Sequence, residues 1–358
     1  MLKSEEAVEG QASDGGAGGQ YAEDATGLLH GAILPPRGNR AAEPPPSRRR
    51  AAAEPPSRRR AGRYARPSRE ERRVIDLHCH STCSDGSETP GRVVELAAEA
   101  GLAAVALTDH DGLDGVEAAA TRALELAIGF VPGCEVSCKF SPGTMHLLCY
   151  FVEPGDGPLQ QQLVRLRRDR ETRNERLVAR LNELGIPITL EQVGRVAGTA
   201  GAGSTGGAIG RPHFARVLAE MGAVSSYQDA FDSLLAKGGP AYIPKAFVDA
   251  PTTIEAATGS GALAVLAHPF SLGLEPPELD RTVGELAAAG LTGVECWYGG
   301  YSKSERAWLL ELAGRHGLVA TGGSDFHGTF KADLFVGIGL GDLEVPDSAL
   351  AALRARLA

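Results

Sequence analysis

From Val74 onward, short apolar runs alternate with stretches whose apolar residues recur every three or four positions. The runs Val74 to His78, Ala103 to Thr108, Phe130 to Val136, His146 to Val152, Leu263 to Ala267, Gly293 to Trp297 and Leu318 to Thr321 predict strands, because short apolar segments bounded by turn formers suit a buried sheet. Pro90 to Ala100, Gly115 to Ala127, Leu279 to Ala289 and Ser304 to His316 predict amphipathic helices, with Gly101, Gly290 and Gly317 as stops. Strand and helix in alternation predict an α/β fold, a parallel barrel whose chemistry gathers at the C-terminal ends of the strands.

Two segments break this rhythm. Between Val152 and Leu263 an apolar helical stripe of Leu163, Leu166, Leu177, Leu181 and Leu184 is interrupted midway by Arg170, Arg173 and Asn174. Polar groups on such a stripe either meet carboxylates across an interface or overlook a wet site that binds phosphate, for which a planar guanidinium is suited. The glycine-rich run Gly198 to Gly210 lacks the Gly-Lys-Ser/Thr ending of a nucleotide P-loop. It reads as a mobile loop over the site, followed by a helix start at Arg211-Pro212-His213. The second segment is residues 1–72, rich in Gly, Ala, Pro and Arg, where Ala41 to Arg50 is nearly repeated as Ala51 to Arg60. It has too little apolar surface to offset its conformational entropy and is expected to be a disordered tail. Its arginines offer RNA an electrostatic contact, yet a solvated linker or translation from upstream of the true start accounts for them equally.

Composition narrows the class. The 358 residues are 43% hydrophobic and carry a formal net charge of −9, ordinary for a globular enzyme and no sign of a broad nucleic-acid surface. No apolar run approaches the ~20 residues that span a bilayer. Lys3, Glu5 and Glu6 open the chain where a secretory leader would place an apolar core. The six cysteines lie in or beside core strands, and a chain of this size needs no disulfide staples, so reduced thiols and a cytoplasmic location are expected.

The candidate chemistry sits where the strands end. Asp76-Leu77-His78-Cys79-His80 puts two imidazoles on one side of a strand and Cys79 on the other, with Asp85 a few residues on. Thr108-Asp109-His110-Asp111, Gly133-Cys134-Glu135, His146, Ala267-His268-Pro269 and Gly323-Ser324-Asp325-Phe326-His327 each close or adjoin another apolar run. Six of the nine histidines of the chain fall at such positions. A lone histidine there is more often a hydrogen-bonded core residue, but six accompanied by Asp85, Glu135 and Asp325 need cations to pair them, because burying that many titratable groups alone is expensive.

These ordered motifs resemble the polymerase and histidinol phosphatase (PHP) family. The segments Arg173-Asn174, Gly210 to Arg216, Ala241 to Lys245 and Val294 to Tyr298 are similar to its TrpH/YciV-type branch, whose members hydrolyse nucleoside 3′,5′-bisphosphates or remove nucleotides from the 5′ end of short RNA. The resemblance implies a distorted seven-stranded (β/α)7 barrel over residues 73–358, with a helical insertion at about 156–246. It also implies three divalent ions, manganese foremost, with zinc or iron as alternatives. His78, His80, Glu135 and Asp325 would hold the first, Glu135, His146 and His268 the second, and Asp85, His110 and His327 the third. Glu135, Asp325, His327 and His213 would serve catalysis, and Arg173, Asn174, Arg211, His213 and Lys245 would bind substrate. The implied reaction is attack of metal-activated hydroxide on phosphorus in a nucleotide or a short 5′-phosphorylated RNA. The rivals are a histidinol-phosphatase-like phosphomonoesterase and an amidohydrolase-type hydrolase, the latter lacking here a lysine at a later strand end suited to bridging two metals.

Overall fold

The computed structural model describes residues 74–198 and 209–357. The expected tail and most of the glycine-rich loop expected over the site lie outside the described residues. The seven strands read from the apolar runs are β1 (Val74–Asp76), β2 (Ala104–Leu107), β3 (Gly129–Cys138), β4 (Met145–Tyr150), β5 (Leu263–Leu266), β6 (Gly293–Tyr298) and β7 (Val319–Gly323), each paired with the next in chain order. The chain beyond β1 then bonds to the end of β7: Leu77 N donates to Gly322 O at 3.1 Å, Asp325 N to His78 O at 2.9 Å and His80 N to Phe326 O at 2.9 Å. The seven strands therefore come round into a nearly closed barrel. An eighth strand, β8 (Val345–Pro346), pairs antiparallel with β1.

The barrel is not wholly parallel, as the alternation had suggested. β4 runs antiparallel to both β3 and β5. The cause is connection length, since only residues 139–144 join β3 to β4, and a return to the same end of a sheet needs a crossover of a dozen residues or more. Glu135 and Leu148 are direct partners across this pair, which puts a carboxylate on the inward face of the barrel.

Helices α1 (Pro90–Glu99), α2 (Val116–Leu126), α3 (Pro158–Glu183), α4 (Leu190–Val196), α5 (Arg211–Glu220), α6 (Tyr227–Ala230), α7 (Ala250–Gly259), α8 (Pro276–Ala288), α9 (Lys303–Arg315) and α10 (Ser348–Arg354) complete the described residues, with a π-helical turn at Phe231–Leu235. Local chemistry sets their starts. Thr89 caps α1 through Arg92 N with Pro90 in the first turn, and Ser302 and Glu305 form a capping box on α9. Inside the barrel, Ile75, Leu77, Ala106, Val131, Leu148 and Val265 pack into one cluster. Outside it, Val105 and Leu107 meet α1 and α2, while Val136, Leu266 and Val294 belong to a cluster that takes in α7, α8 and α9.

The insertion has a separate core. The first turns of α3 bury Leu159, Leu163 and Leu166 with the barrel helices. Its later turns bury Leu177 and Leu181 with Val193, Phe214, Leu218 and Leu235 of the insertion. Leu184, counted in the stripe, caps the helix end and is 37% exposed. Arg170, Arg173 and Asn174 fall between the two cores and are buried.

Candidate metal centre and substrate cavity

The nine residues singled out as ligands converge on one region at the strand ends. Glu135, 1% exposed on β3, is its hub. Its Oε1 lies 2.9 Å from both His146 Nδ1 and His268 Nε2, and its Oε2 lies 3.2 Å from His80 Nε2 and His110 Nδ1 and 3.4 Å from His78 Nε2. Asp325 Oδ1 stands 3.4 Å from each of His78 Nε2, His80 Nε2 and His327 Nδ1. Asp85 faces His327 Nε2 at 3.3 Å, His80 Nδ1 at 3.6 Å and His110 Nε2 at 3.7 Å. Three overlapping groups emerge: His78, His80 and Asp325; His80, Asp85, His110 and His327; and His110, Glu135 and His146.

This donor set fits divalent cations. His78 Nε2 and His80 Nε2 are 3.1 Å apart, and both face Glu135 Oε2 and Asp325 Oδ1. A single proton satisfies one such pair, whereas four inward lone-pair donors call for a cation. His110 Nδ1 is buried with no hydrogen-bond partner, an orphan that a Lewis acid would satisfy. Burial pushes the His110 ring down to about 3, against the pull of Glu135 and Asp85, which keeps it neutral as a ligand requires. Burial alone would raise Glu135, but His110, His146 and His78 hold its carboxyl well below the usual range. Burial likewise lowers His80, yet Asp325 and Glu135 outweigh it and lift the metal-free ring to about 9.

Partners behind the cluster fix the rings. Glu295 on β6, 0% exposed, accepts from His78 Nδ1 at 3.0 Å with one oxygen and from His268 N at 2.7 Å with the other. Ser271 Oγ holds His268 Nδ1 at 2.8 Å. The far oxygen of Asp325 accepts from Tyr298 OH at 2.7 Å and from Lys331 Nζ, leaving Oδ1 to face the imidazoles. Backbone strain gathers here as well: Asp111, His268 and Asp325 adopt φ of 52°, 26° and 56°, a left-handed conformation that costs a non-glycine residue roughly 1–3 kcal/mol and persists where surrounding contacts over-determine it.

A cavity joins this cluster to the insertion. Asp85, His110 and His146 line it on the barrel side, and Arg170, Arg173, Arg211 and Lys245 on the other. These cations are not equivalent. Arg170 and Lys245 both pair with buried Asp111, Lys245 at 2.9 Å, and are partly spent on that contact. Arg173, 6% exposed, contacts no carboxylate of the described residues within ion-pair distance; it donates to Asn174 Oδ1 at 2.9 Å, and its Nε has no partner among them. Burial and the neighbouring Arg170 and Arg211 push its guanidinium down to about 10, still charged at neutral pH.

Two expected substrate contacts, Asn174 and His213, are not among the described residues that line the cavity. Asn174 does not line the cavity, since its amide is used by Arg173 and by Ile209 O. His213 accepts the Gly210 N–H at 2.9 Å through Nδ1, closing the start of α5, and its ring packs against Phe330. Its Nδ1 lone pair is thus committed to a backbone cap, and burial pushes the ring down to about 4.

Known proteins share both the sequence and the fold. The PHP domain model matches residues 76–185. A 3′,5′-nucleoside bisphosphate phosphatase of Chromobacterium violaceum is 34% identical over 253 residues, covering 71% of this chain and 87% of that protein. The chain belongs to the PHP family. The 5′-3′ exoribonuclease Rnm of Escherichia coli is also 34% identical, over 71% of this chain and 85% of its own length. The structure of a metal-dependent phosphoesterase from Bifidobacterium adolescentis superposes with a TM-score of 0.69 at 31% identity, over 79% of this chain and 96% of that one. This PHP protein is accordingly a metal-dependent phosphoesterase. No helix among its described residues is long and apolar enough to cross a membrane, and all six cysteines are free and buried.

Glu295, Tyr298, Lys331 and Asp111 are the site residues that sequence reasoning passed over as individuals. Glu295 left a signal: a carboxylate inside the apolar run Gly293 to Trp297 has no reason to be there unless it meets a donor. Asp111 and Tyr298 lay in quoted motifs without being singled out, and Lys331 left no signal.

Proposed function

We propose that this PHP protein hydrolyses a phosphate ester in a nucleotide that carries a second phosphate, as a nucleoside 3′,5′-bisphosphate and the 5′ end of a short phosphorylated RNA both do. The observation that carries the reading is the single cavity shared by the metal cluster and Arg173, a buried cation with no carboxylate partner among the described residues. An anion supplied from outside is the partner it lacks. The names of the Chromobacterium and Escherichia relatives support the same substrate class.

His78, His80, Glu135 and Asp325 would hold one ion, Glu135, His146 and His268 a second, and Asp85, His110 and His327 a third, with manganese foremost for this imidazole and carboxylate set and zinc or iron as alternatives. When bound, the ions supply a nucleophile from water at neutral pH and neutralise phosphoryl oxygens. Glu135 would be shared between two ions, while Glu295 keeps the His78 proton on Nδ1 and its Nε2 lone pair turned inward. Asp325 keeps one oxygen free because Tyr298 and Lys331 occupy the other. Arg173 grips the phosphate that does not react, held in place by Asn174. Lys245 and Arg211 add charge to the same wall. The net change is water added across one P–O ester bond, giving an alcohol and a phosphate monoester or inorganic phosphate.

The test is phosphate release from nucleoside monophosphates, 3′,5′-bisphosphates and short 5′-phosphorylated RNAs by protein reconstituted with Mn²⁺, with chelated protein as the control. Preference for the substrates with a second phosphate, lost on chelation, is expected. Equal turnover of monophosphates and bisphosphates would overturn the role of the cationic wall.

A further inference from the structure

We infer that Phe247 provides a stacking surface for the nucleobase of the substrate, so that the enzyme requires a base but does not read which base it is. The proposal deepens the reading above and rests on it. The segment carrying Phe247 runs along the end of β3: Val248 bridges to Cys138, and Lys139 N donates to Val248 O at 2.7 Å. Next to an extended pairing of this kind, residues two apart share a face. Lys245 and Phe247 both line the cavity, and the Lys245 ammonium lies 5.9 Å from the Phe247 ring centroid. Lys245 is anchored toward the barrel by Asp111 and Ser137.

Phe247 itself is 44% exposed, so a face of its ring is open to a flat apolar partner. From another element Phe231, the first residue of the π-helical turn, lines the same cavity. Such turns inside helices recur at functional sites. The cavity therefore offers metal ligands, cations and aromatic carbon, the three surfaces that a phosphate ester, a second phosphate and a base present. Among the described residues no asparagine or glutamine amide lines it, and its arginines and Lys245 sit with the phosphate-binding wall, so the base is left to stacking, which is indifferent to base identity.

The experiment compares adenosine 3′,5′-bisphosphate, cytidine 3′,5′-bisphosphate and the abasic ribose 3,5-bisphosphate, using the full chain with Mn²⁺. The unaltered enzyme should turn over the two nucleotides within about tenfold of each other, and the abasic compound about tenfold more slowly in kcat/KM, mainly through KM. Phe247→Ala should lower kcat/KM for both nucleotides about tenfold and leave the abasic compound unchanged, while Phe247→Tyr should restore the nucleotides. Because the ring is outside the cores, the Ala variant keeps the fold, and an unchanged rate on the abasic compound verifies this. Nucleotides and abasic compound turned over equally by the unaltered enzyme, or an equal loss on all three in Phe247→Ala, would overturn the stacking proposal alone. No turnover of any of the three would overturn the bisphosphate reading and this proposal with it.

Discussion

The barrel ends and the insertion face each other across one cavity, yet they treat charge in opposite ways. On the barrel side nearly every polar atom behind the metal cluster is paired: His78 Nδ1 with Glu295, His268 Nδ1 with Ser271, His327 Nδ1 with Asp325 O. On the insertion side Arg173 is buried with an orphaned Nε. Helix α3 links the two regions, with one core at each end and its polar residues between them. Ligands whose outer atoms are held in this way keep a set geometry, whereas an unpartnered cation is a receptor for something that arrives. The reaction is thus assigned to the barrel and the choice of substrate to the insertion.

Glu135→Gln strikes the barrel side and carries the largest expected effect. The carboxylate stands within 3.4 Å of five imidazole nitrogens, while most of the apolar core lies elsewhere. Turnover should fall to background and metal content, measured by mass spectrometry of the purified protein, by at least one ion, with the circular dichroism spectrum retained. Full activity with undiminished metal would sink the assignment of Glu135 as a shared ligand.

Arg173→Ala strikes the other side. A lost charge-assisted contact to phosphate is worth on the order of 1.5–3 kcal/mol, or roughly ten- to a hundredfold in kcat/KM. Metal content should not change, and a 3′,5′-bisphosphate should suffer more than an aryl phosphate, which has no second phosphate to hold. Equal losses on both substrates would make Arg173 a structural residue and erase the division of labour.

These two residues also show what could be read from sequence. Glu135 and the histidines were legible because they end or adjoin apolar runs, where a titratable group is conspicuous. Arg173 was legible because it breaks a helical stripe. The direction of β4 was not, since apolar content carries no orientation and only the six-residue connection betrays it. The contacts of Asn174 and His213 were not legible either, for a related reason. Their residue types suit substrate binding, but whether their polar atoms are already committed depends on Ile209 O and Gly210 N, contacts fixed by the packing of the insertion. Lys331 and Tyr298 were invisible because meeting on Asp325 is a property of the closed barrel rather than of any local pattern.

Glu295→Gln refines the account of the barrel side with a smaller effect. The amide keeps a carbonyl acceptor for His78 Nδ1 or for His268 N, but it loses the charge that makes the His78 ring a better ligand. Removing such a partner behind a ligand costs about tenfold or somewhat more in metal affinity. Titrating metal-free protein with Mn²⁺ in a calorimeter should show this loss, with turnover recovering at saturating Mn²⁺. An unchanged affinity would mean that the rings are oriented by packing alone.

The smallest effect is expected from deleting Met1 to Arg66, a segment that supplies none of the nine candidate ligands. His78 is the first of the nine candidate ligands in the chain, and the first described strand opens at Val74. Among the described residues, every arginine or lysine lining the cavity comes from α3 or later. The truncated protein should therefore hydrolyse a nucleoside 3′,5′-bisphosphate with kcat/KM nearly unchanged. RNA sharpens the prediction, because the two Ser-Arg-Arg-Arg runs at residues 47–50 and 57–60 would release counterions on contact with a phosphate backbone. If they contribute, deletion should weaken oligonucleotide binding and flatten its dependence on salt while the mononucleotide rate holds. A large loss on the mononucleotide would instead place part of the substrate wall in the N-terminal segment, and the assignment of substrate choice to the insertion would have to be shared with it.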